Sequence, residues 1–459
     1  MKILSIPAIA CAMTLGFGLA SAQTITPTRV GPVSQYGQLI TGKNSAGKGR
    51  IYGSCQGVKD GAEVQVRGMS LYWSLKPEAV AFWSEAGVAS MVNDMNIQLI
   101  RASMATGSED WWGCKDMSSD CGESNHMTGY ASDPTFQKNL MTTVVEAAIK
   151  NDIYVILDWH SHEAENQTES SKGFFSEMAQ TYGSYNNVIF EVYNEPKGDW
   201  GEDAARSYWP TIKNYATTVI SAIRQYSDNL ILVGNPYYDQ YPNVVVSNPI
   251  SDDNVAYTFH YYACSHSSTN EGANAITVLN SGLPIFVSEW GTGNADGTGD
   301  YSNCTSANAT WQSWLDNNKL SWANWSASKV GEGTAAFTSA ATASSLQYTT
   351  SGNAVKGYLA TNPTTYTACA DAGTGGETVD PNALKANAVS KFNVTYADRV
   401  MNISGTQPAS VDFFDMNGNK IMSLQNIIGS LSLKSFPVGQ YIVRIHNASA
   451  NMSRIISIK

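Results

Sequence analysis

The residues Val188-Ile-Phe-Glu-Val-Tyr193 form a six-residue run with one charged side chain and no turn residue. A run that is apolar at nearly every position is typical of a strand buried on both faces, as in parallel sheets. Seven further runs of this kind occur between residues 64 and 325: Val64–Leu71, Ile97–Met104, Ile153–Trp159, Leu230–Gly234, Val255–Tyr261, Pro284–Ser288 and Leu320–Trp325. The sequence therefore predicts eight parallel strands.

Longer segments with helical periodicity separate these strands. Among them are Glu78–Asn93, Thr135–Lys150, Ala204–Tyr226 and Asn308–Asn317. Eight strand–helix units predict the α/β class and a (β/α)8 TIM barrel. A doubly wound open sheet is the alternative, but it requires a Gly-rich turn after the first strand, where this chain has Met69-Ser-Leu-Tyr-Trp73.

The N-terminus has the features of a signal peptide. Lys2 precedes the mostly apolar stretch Ile3–Leu19, and Ala20-Ser-Ala22 resembles a cleavage site. A membrane anchor is the alternative, but the apolar run is short and is interrupted by Pro and Gly. We expect residues 1–22 to be removed and the protein to be secreted or held on a bacterial cell surface.

Six cysteines remain after residue 22, which is an even number and suggests disulfides in a secreted chain. Sequence alone leaves 15 pairings open for six cysteines. We expect Cys114–Cys121, which closes a short loop, and we guess Cys264–Cys304 and Cys55–Cys369 from the predicted topology. The spacing of Cys and His does not match a structural zinc site, so no metal is expected.

Charge and composition divide the chain into two parts. The net charge is −11, which argues against nucleic-acid binding, yet residues 384–459 hold eight Lys or Arg and three Asp or Glu. Residues 371–383 resemble a flexible linker. Beyond it, Ser410–Phe414, Ser430–Leu433 and Tyr441–His446 predict short antiparallel strands, and Asn417-Gly418 is a hairpin signal. We therefore expect a barrel domain at 30–370 and a small β-sandwich at 384–459.

Polar and aromatic side chains follow the ends of the predicted barrel strands, where barrel active sites lie. In chain order they are Arg101, His160, Asn194, Glu195, His260, Tyr261, Tyr262, Glu289 and Trp325. Two glutamates across a barrel mouth suit glycosidic cleavage, in which one carboxyl donates a proton and the other is ionised. We expect their mutual repulsion to raise the pKa of the more buried glutamate, which suits an acid.

Several motifs of this chain resemble those of family 5 glycoside hydrolases, in particular the bacterial endo-β-1,4-glucanases. The resemblance covers roughly residues 33 to 360. It rests on these segments: Val33-Ser-Gln-Tyr-Gly-Gln38, Val66-Arg-Gly-Met69, Arg101-Ala-Ser-Met104, Asp158-Trp-His160, Tyr193-Asn-Glu-Pro196, Ser288-Glu-Trp-Gly291 and Trp322-Ala-Asn-Trp-Ser326. It implies a retaining endo-β-1,4-glucanase, a cellulase that acts on β-glucan without a cofactor and that we expect to be monomeric.

The resemblance also implies roles for individual residues. Glu195 would be the general acid/base and Glu289 the nucleophile. The remaining roles are supporting ones: Asn194 would bind the sugar 2-hydroxyl, Arg101 would keep Glu289 ionised, Tyr262 would orient Glu289, His160 and His260 would bind sugar hydroxyls and tune the carboxylates, and Trp325 would stack on the sugar ring.

Two departures from the family pattern concern the glycone side of the cleft. Ala105 replaces a common Tyr, and Leu71-Tyr-Trp73 lacks an inserted His and Gly. Trp73 is a candidate for sugar stacking there. The segment Thr106–Met127, with Trp111 and Trp112, is either cleft wall or a structural flap.

Three rival interpretations remain. His160-Ser-His162 could belong to a metal hydrolase, but Gly234-Asn-Pro236 after the fifth strand offers no further His, and His162 is expected to be a loop residue. A non-catalytic sugar-binding barrel would lack one glutamate. β-Mannanase, xyloglucanase and mixed-linkage glucanase share the same catalytic residues.

The C-terminal segment resembles the immunoglobulin-like sorting domains of type IX-like secretion. The resemblance rests on Val411-Asp-Phe-Phe-Asp-Met-Asn-Gly-Asn-Lys420, Phe436-Pro-Val-Gly-Gln-Tyr-Ile-Val-Arg444 and the strand predicted at Arg454–Lys459. It implies that secretion machinery reads this domain. A carbohydrate-binding module is the alternative, although the segment contains no Trp.

Overall fold

The computed structural model describes residues 25–107, 129–369, 392–397 and 399–458, with short gaps in the last range at 406–408, 415–419, 428, 435 and 448–449. The expected signal peptide, the linker 371–383, the tryptophans Trp111 and Trp112 and the Cys114–Cys121 pair lie outside the described residues. Among the described residues, no helix combines the length and the apolar character needed to span a bilayer.

Eight parallel strands close into a barrel, which confirms the predicted (β/α)8 TIM fold. The strands are β3 (Arg67–Leu71), β4 (Leu99–Ala105), β5 (Tyr154–His160), β6 (Val188–Glu191), β7 (Ile231–Val233), β8 (Val255–Tyr262), β9 (Ile285–Gly291) and β10 (Trp322–Ala327). Each strand pairs with its sequence neighbours, and β10 closes the barrel against β3. All eight predicted runs correspond to these strands.

The barrel strands are buried on both faces, as their apolar composition predicted. Side chains directed into the barrel, such as Tyr154, Ile156 and Leu232, form one hydrophobic cluster. Those directed outward, such as Val155 and Leu157, join a larger cluster with the surrounding helices. Two apolar layers thus hold the strands, so the polar residues at the strand ends are fixed on a rigid frame.

The helices surround the barrel. They are α1 (Pro32–Tyr36), α2 (Pro77–Val80), α3 (Glu85–Met95), α4 (Pro134–Lys150), α5 (Thr168–Tyr182), α6 (Glu202–Ile223), α7 (Pro236–Asp239), α8 (Glu271–Asn280), α9 (Thr305–Asn318) and α10 (Thr350–Leu359), with short 3-10 turns at Ala164–Gln167, Pro242–Ser247 and Tyr301–Asn303. The hairpin β1 (Leu39–Lys43) and β2 (Gly49–Gly53) precedes the barrel.

The prediction of one helix over Glu78–Asn93 was wrong. The chain forms α2, turns, and begins α3 after Ser84, whose extended backbone (φ −147°) cannot continue a helix. The Ser84 hydroxyl accepts a hydrogen bond from the Gly87 N–H at 3.1 Å and caps α3. Apolar periodicity alone did not locate the break between the two helices.

Two disulfides lie among the described residues. Cys264 pairs with Cys304, 40 residues later, and Cys55 pairs with Cys369, 314 residues later. Both pairings agree with those expected from the predicted topology. The second links the segment after the N-terminal hairpin to the end of the barrel domain, so it closes nearly the whole domain into one covalent loop.

The C-terminal part is all β. Strands β11 (Phe392–Ala397), β12 (Val400–Gly405) and β15 (Gly429–Ser432) form one antiparallel sheet, and β13 (Ala409–Phe414), β14 (Lys420–Ile427), β16 (Gly439–Asn447) and β17 (Ala450–Ile458) form a second in the order β14-β13-β16-β17. Met401 and Ile403 of the first sheet share a core with Phe413 and Val443 of the second. β13 and β14 pair as a hairpin around the predicted Asn417-Gly418 turn, which lies outside the described residues.

Candidate active site

Glu195 and Glu289 face each other at the mouth of the barrel. Glu195 follows β6, and Glu289 lies on β9, where it is paired with His260 of β8. A carboxylate oxygen of Glu195 lies within 4.8 Å of one of Glu289. Glu289 is 4% exposed, and the Glu195 side chain is 15% exposed. The two carboxylates are therefore close, sheltered, and still open on the cleft side.

Both oxygens of Glu289 accept charged or strongly polar hydrogen bonds. Arg101 Nη1 donates to Oε2 at 2.7 Å, and the Tyr262 hydroxyl donates to Oε1 at 2.7 Å. Burial, reinforced by the charge of Glu289, raises the pKa of Tyr262 well above its ordinary value, so the phenol remains a donor. Glu289 is thus held in one orientation beside a fixed positive charge.

Arg101 is the centre of a buried network of acidic groups. Its Nε donates to Glu191 Oε2 at 2.6 Å, and its Nη2 lies 2.9 Å from Asp158 Oδ2 and 2.5 Å from Asn194 Oδ1. Burial alone would lower the pKa of Arg101, but the charges of Asp158, Glu191 and Glu289 raise it well above the ordinary value. Because Arg101 donates to Asn194 Oδ1, the side-chain NH2 group of Asn194 remains as the polar group that can donate a further hydrogen bond.

Glu195 is bound by two imidazoles. His260 Nδ1 lies 2.8 Å from Oε1, and His162 Nε2 lies 3.3 Å from Oε2. Burial raises the pKa of Glu195, but hydrogen bonds and charge from the two histidines outweigh burial and lower it. Two histidines beside Glu195 thus oppose the rise in pKa that burial alone would give it, an effect that an argument from repulsion between the glutamates does not include.

His160, Trp325 and Trp73 form an aromatic group beside the carboxylates. The Trp325 ring lies parallel to His160, with centroids 5.4 Å apart and planes at 3°. Trp73 approaches His160 edge-on at 5.1 Å. His160 Nδ1 lies 2.6 Å from Asp158 Oδ2, so the ring is oriented by a carboxylate that also binds Arg101.

Some residues at the site were not identified from the sequence. His162, expected to be a loop residue, contacts Glu195. Glu332 follows β10 and accepts hydrogen bonds from the Tyr72 hydroxyl at 2.9 Å and from Trp325 Nε1 at 3.4 Å, which orients the Trp325 ring. Apart from these site contacts, Trp200, five residues after Glu195 in the sequence, has an indole ring that is 76% exposed. No local pattern indicates these contacts, since each depends on the path of a loop.

Tyr261 was grouped with the polar strand ends but does not reach the mouth. Its ring packs on Trp311 of α9 with centroids 3.9 Å apart, and on Trp290 at 5.7 Å. Side chains alternate along a strand, so His260 and Tyr262 face the cleft while Tyr261 faces the helical layer.

Glu195, His260 and Glu289 offer donor atoms that lie close enough together to hold a cation. Each of the four carboxylate oxygens, however, already has a protein hydrogen-bond partner: Tyr262, Arg101, His260 or His162. Nor do His160 and His162 form a metal-binding pair, because each ring is directed to a carboxylate of its own. Both carboxyl groups are therefore held by protein hydrogen-bond partners rather than arranged around a cation.

A (β/α)8 barrel with two facing carboxylates at the C-terminal ends of its strands is an arrangement suited to glycoside hydrolysis. The family model described as Cellulase (glycosyl hydrolase family 5) matches residues 58–331. This chain belongs to glycosyl hydrolase family 5.

Related proteins support this assignment. Endoglucanase Z of Dickeya dadantii is 38% identical over 273 residues, which cover 59% of this chain and 57% of that protein. A solved structure from Cytophaga hutchinsonii is 33% identical with a TM-score of 0.60, over 72% of this chain and 96% of that one. The catalytic domain of Thermobifida fusca endoglucanase Cel5A, solved with cellotetraose, is 25% identical with a TM-score of 0.58, over 72% of this chain and all of that domain. The chain spans 57%, 35% and 60% of the length of the first three curated relatives.

Proposed function

We propose that this protein is a secreted, retaining endo-β-1,4-glucanase that hydrolyses internal bonds of cellulose or related β-glucans. The observation that carries the proposal is the approach of the Glu195 and Glu289 oxygens within 4.8 Å across an open barrel mouth. Retaining glycosidases hold their two carboxyls about 5–5.5 Å apart, whereas inverting enzymes need a wider gap for water. The close approach favours direct attack by one carboxylate.

In the first step, a Glu289 oxygen forms a bond to the anomeric carbon while the bond from that carbon to the leaving oxygen breaks. Glu195 gives its proton to the leaving oxygen, which departs as a sugar hydroxyl. Arg101 and Tyr262 hold the attacking carboxylate in place. The NH2 group of Asn194 is the candidate donor to the sugar 2-hydroxyl.

In the second step, water attacks the anomeric carbon and gives a proton to Glu195. The bond to Glu289 breaks, and both carboxyl groups return to their starting forms. The aromatic group of Trp325, His160 and Trp73 offers a stacking surface beside the reacting sugar. No step requires a metal or an organic cofactor.

Matched variants test the roles of the two carboxylates. Glu289→Gln keeps the shape of the side chain and removes the nucleophile, so release of reducing ends from soluble β-glucan should fall at least about 10³-fold. Glu177→Gln is the control, because Glu177 is an exposed residue of α5 whose carboxylate pairs with Lys138 on the protein surface. Equal release by Glu289→Gln and wild type would remove Glu289 from the mechanism. Proton NMR of the first product should show the β-anomer before mutarotation, since inversion would give the α-anomer.

The substrate is tested by parallel assays on carboxymethylcellulose, lichenan, glucomannan and xyloglucan. We expect the highest rate on carboxymethylcellulose or lichenan, because relatives named endoglucanase share up to 38% identity with this chain. A clear preference for glucomannan or xyloglucan would identify a β-mannanase or xyloglucanase on the same catalytic residues. A fall in solution viscosity that precedes the release of short sugars would establish endo action.

We also propose that residues 1–22 direct export and that the immunoglobulin-like sandwich at 384–459 serves sorting or surface attachment. The two packed antiparallel sheets support a sandwich, and the absence of Trp from this part of the sequence argues against a flat cellulose-binding face. The full chain and a chain ending at residue 370 should therefore bind crystalline cellulose equally. Tighter binding by the full chain would favour a carbohydrate-binding module.

A further inference from the structure

A second buried carboxylate stands behind the histidine that binds Glu195. Asp239 is fully buried and lies in the α7 turn after β7. Its Oδ1 accepts the Asn235 N–H at 2.5 Å, and its Oδ2 lies 3.4 Å from His260 Nε2. His260 thus lies between two carboxyl groups: Nδ1 bonds Glu195, whereas Nε2 bonds the Ser288 hydroxyl at 2.9 Å and faces Asp239 Oδ2 at 3.4 Å without a hydrogen bond to it.

The backbone that carries Asp239 adopts an unusual conformation. Tyr237, Tyr238 and Asp239 have φ values of 57°, 56° and 62°, in the left-handed region that non-glycine residues rarely occupy. The Tyr238 N–H donates at 2.9 Å to the carbonyl of Pro196, the residue after Glu195. The Tyr238 ring also meets His162 edge-on at 6.0 Å. One constrained turn therefore contacts both imidazoles that bind Glu195.

We propose that Asp239 is a positioning residue that keeps the proton of His260 on Nε2, so that a single mobile proton is shared between His260 Nδ1 and Glu195 Oε1. This inference rests on the proposed glycosidase function and deepens it. In this arrangement His260 is the group that exchanges a proton directly with Glu195, and Asp239 acts only through His260.

The argument follows from the two tautomers of imidazole. With Nε2 protonated and facing Asp239, Nδ1 can accept the proton of a neutral Glu195 or return it. If Nε2 instead accepted the hydroxyl proton of Ser288, which lies 2.9 Å away, Nδ1 would carry a permanent proton that holds Glu195 as the anion. Burial raises the pKa of Asp239, whereas the positive charge of His260 lowers it, so protonation of His260 favours an ionised Asp239. In that form Asp239 can only accept, and it favours the tautomer with the proton on Nε2.

Several acidic groups face His260. Asp239 and Glu195 are nearest, Glu191 Oε1 is 4.0 Å from Nε2, and Glu289 adds its charge from β9. Burial lowers the pKa of His260, but these charges and hydrogen bonds, with Asp239 the largest among them, raise it to about 9. The acid-catalysed step needs the shared proton, so activity is lost as pH rises through the pKa of the His260–Glu195 unit.

Asp239→Asn is the sharpest test. The amide oxygen can still accept the Asn235 N–H, while its NH2 group then faces Nε2 and favours the wrong tautomer. We expect kcat/KM for an aryl cellobioside with a poor leaving group to fall about 100-fold, in the range of general acid catalysis. With a dinitrophenyl leaving group, which needs no proton, kcat/KM should change less than about 3-fold. The alkaline limb of the pH profile should move down by about one pH unit.

Asp152→Asn is the matched control. Asp152 is almost fully buried and accepts backbone N–H groups of Gly31 and Ser34, but it precedes β5 at the opposite end of the barrel. We expect both substrates and the pH profile to be unaffected apart from stability. Titration with a fluorinated, mechanism-based inactivator counts the folded active sites in every variant.

Equal losses on both leaving groups, or an unmoved alkaline limb, would overturn the inference. If Asp239→Asn does not fold, ¹⁵N NMR of the wild-type imidazoles decides: protonated Nε2 in neutral His260 supports the inference, and protonated Nδ1 refutes it. Failure of the wild type to cleave any aryl glycoside would instead count against the proposed function, so the two failures are distinguishable.

Discussion

Replacement of Arg101 by Met should destabilise the barrel strongly, and more at neutral than at acidic pH. The Arg101, Asp158 and Glu191 side chains are 0% exposed and that of Glu289 is 5% exposed. Met fills similar volume but leaves three buried carboxyl groups without their cation. Removing one partner of a buried ion pair costs about 3–5 kcal/mol, so we expect the free energy of unfolding to fall by at least about 4 kcal/mol at neutral pH.

The pH dependence follows from linkage. Burial already raises the pKa of Glu191 in the wild type, against the opposing charge of Arg101. In Arg101→Met that opposition is gone, so the folded variant binds more protons than the unfolded chain, and its stability rises as pH falls. Uptake of one proton by the folded variant over two pH units raises its free energy of unfolding by up to about 2.7 kcal/mol. The destabilisation of Arg101→Met relative to wild type should therefore be roughly half or less near pH 5 of its value at neutral pH.

Urea unfolding followed by tryptophan fluorescence measures this effect in the barrel alone, since all 12 Trp lie between residues 73 and 325. Arg224→Met is the control. Arg224 pairs with one carboxylate, Asp252, at 2.8–2.9 Å, and its side chain is 18% exposed. We expect Arg224→Met to lower the free energy of unfolding by less than Arg101→Met does, and with a weaker dependence on pH. An Arg101→Met loss that is equal at both pH values, or no larger than that of Arg224→Met, would refute the reasoning.

Three further results are expected. Tyr262→Phe removes the hydrogen bond to Glu289 Oε1, and kcat on cello-oligosaccharides should fall about 10–100-fold, as for a bond to a charged group; an unchanged kcat would show that Arg101 alone orients Glu289. Trp200→Ala should raise KM several-fold and leave the free energy of unfolding unchanged, because the exposed ring can contribute to sugar binding but little to folding. An unchanged KM would show that Trp200 lies outside the cleft. Replacing Cys55 and Cys369 by Ser should lower unfolding stability by about 2–5 kcal/mol in urea, and a smaller loss would mean that the ends of the domain are held by packing.

Most of the fold could be predicted from the sequence because barrel strands have a strong local signature. Val188–Glu191 and Val255–Tyr262 are buried along nearly their whole length, and burial on both faces requires the continuous apolar runs from which they were predicted. Helix boundaries were harder. The break between α2 and α3 depends on the cap at Ser84, whose effect is visible only once the extended backbone there is known.

The site was predictable to the extent that it lies on strands. Arg101, His260 and Glu289 are strand residues, and strand ends meet at one rim in any parallel barrel. His162 lies on a loop and Asp239 in the short α7 turn, and their contacts depend on backbone paths with no local signal. The left-handed turn at Tyr237 and Tyr238 is an example, since neither residue favours that conformation and no glycine marks it.

The two carboxyl groups are held by different kinds of partner, and the difference matches their proposed roles. Glu289 is bound by Arg101, which is permanently charged, and by Tyr262, whose raised pKa keeps it protonated; neither changes state at ordinary pH. A nucleophile must stay ionised until it attacks, so fixed partners serve it. Glu195 is bound by His162 and His260, which can each release or take up a proton. An acid that must gain and lose a proton in every cycle needs titratable partners, because a permanent cation beside it would hold it in the ionised form.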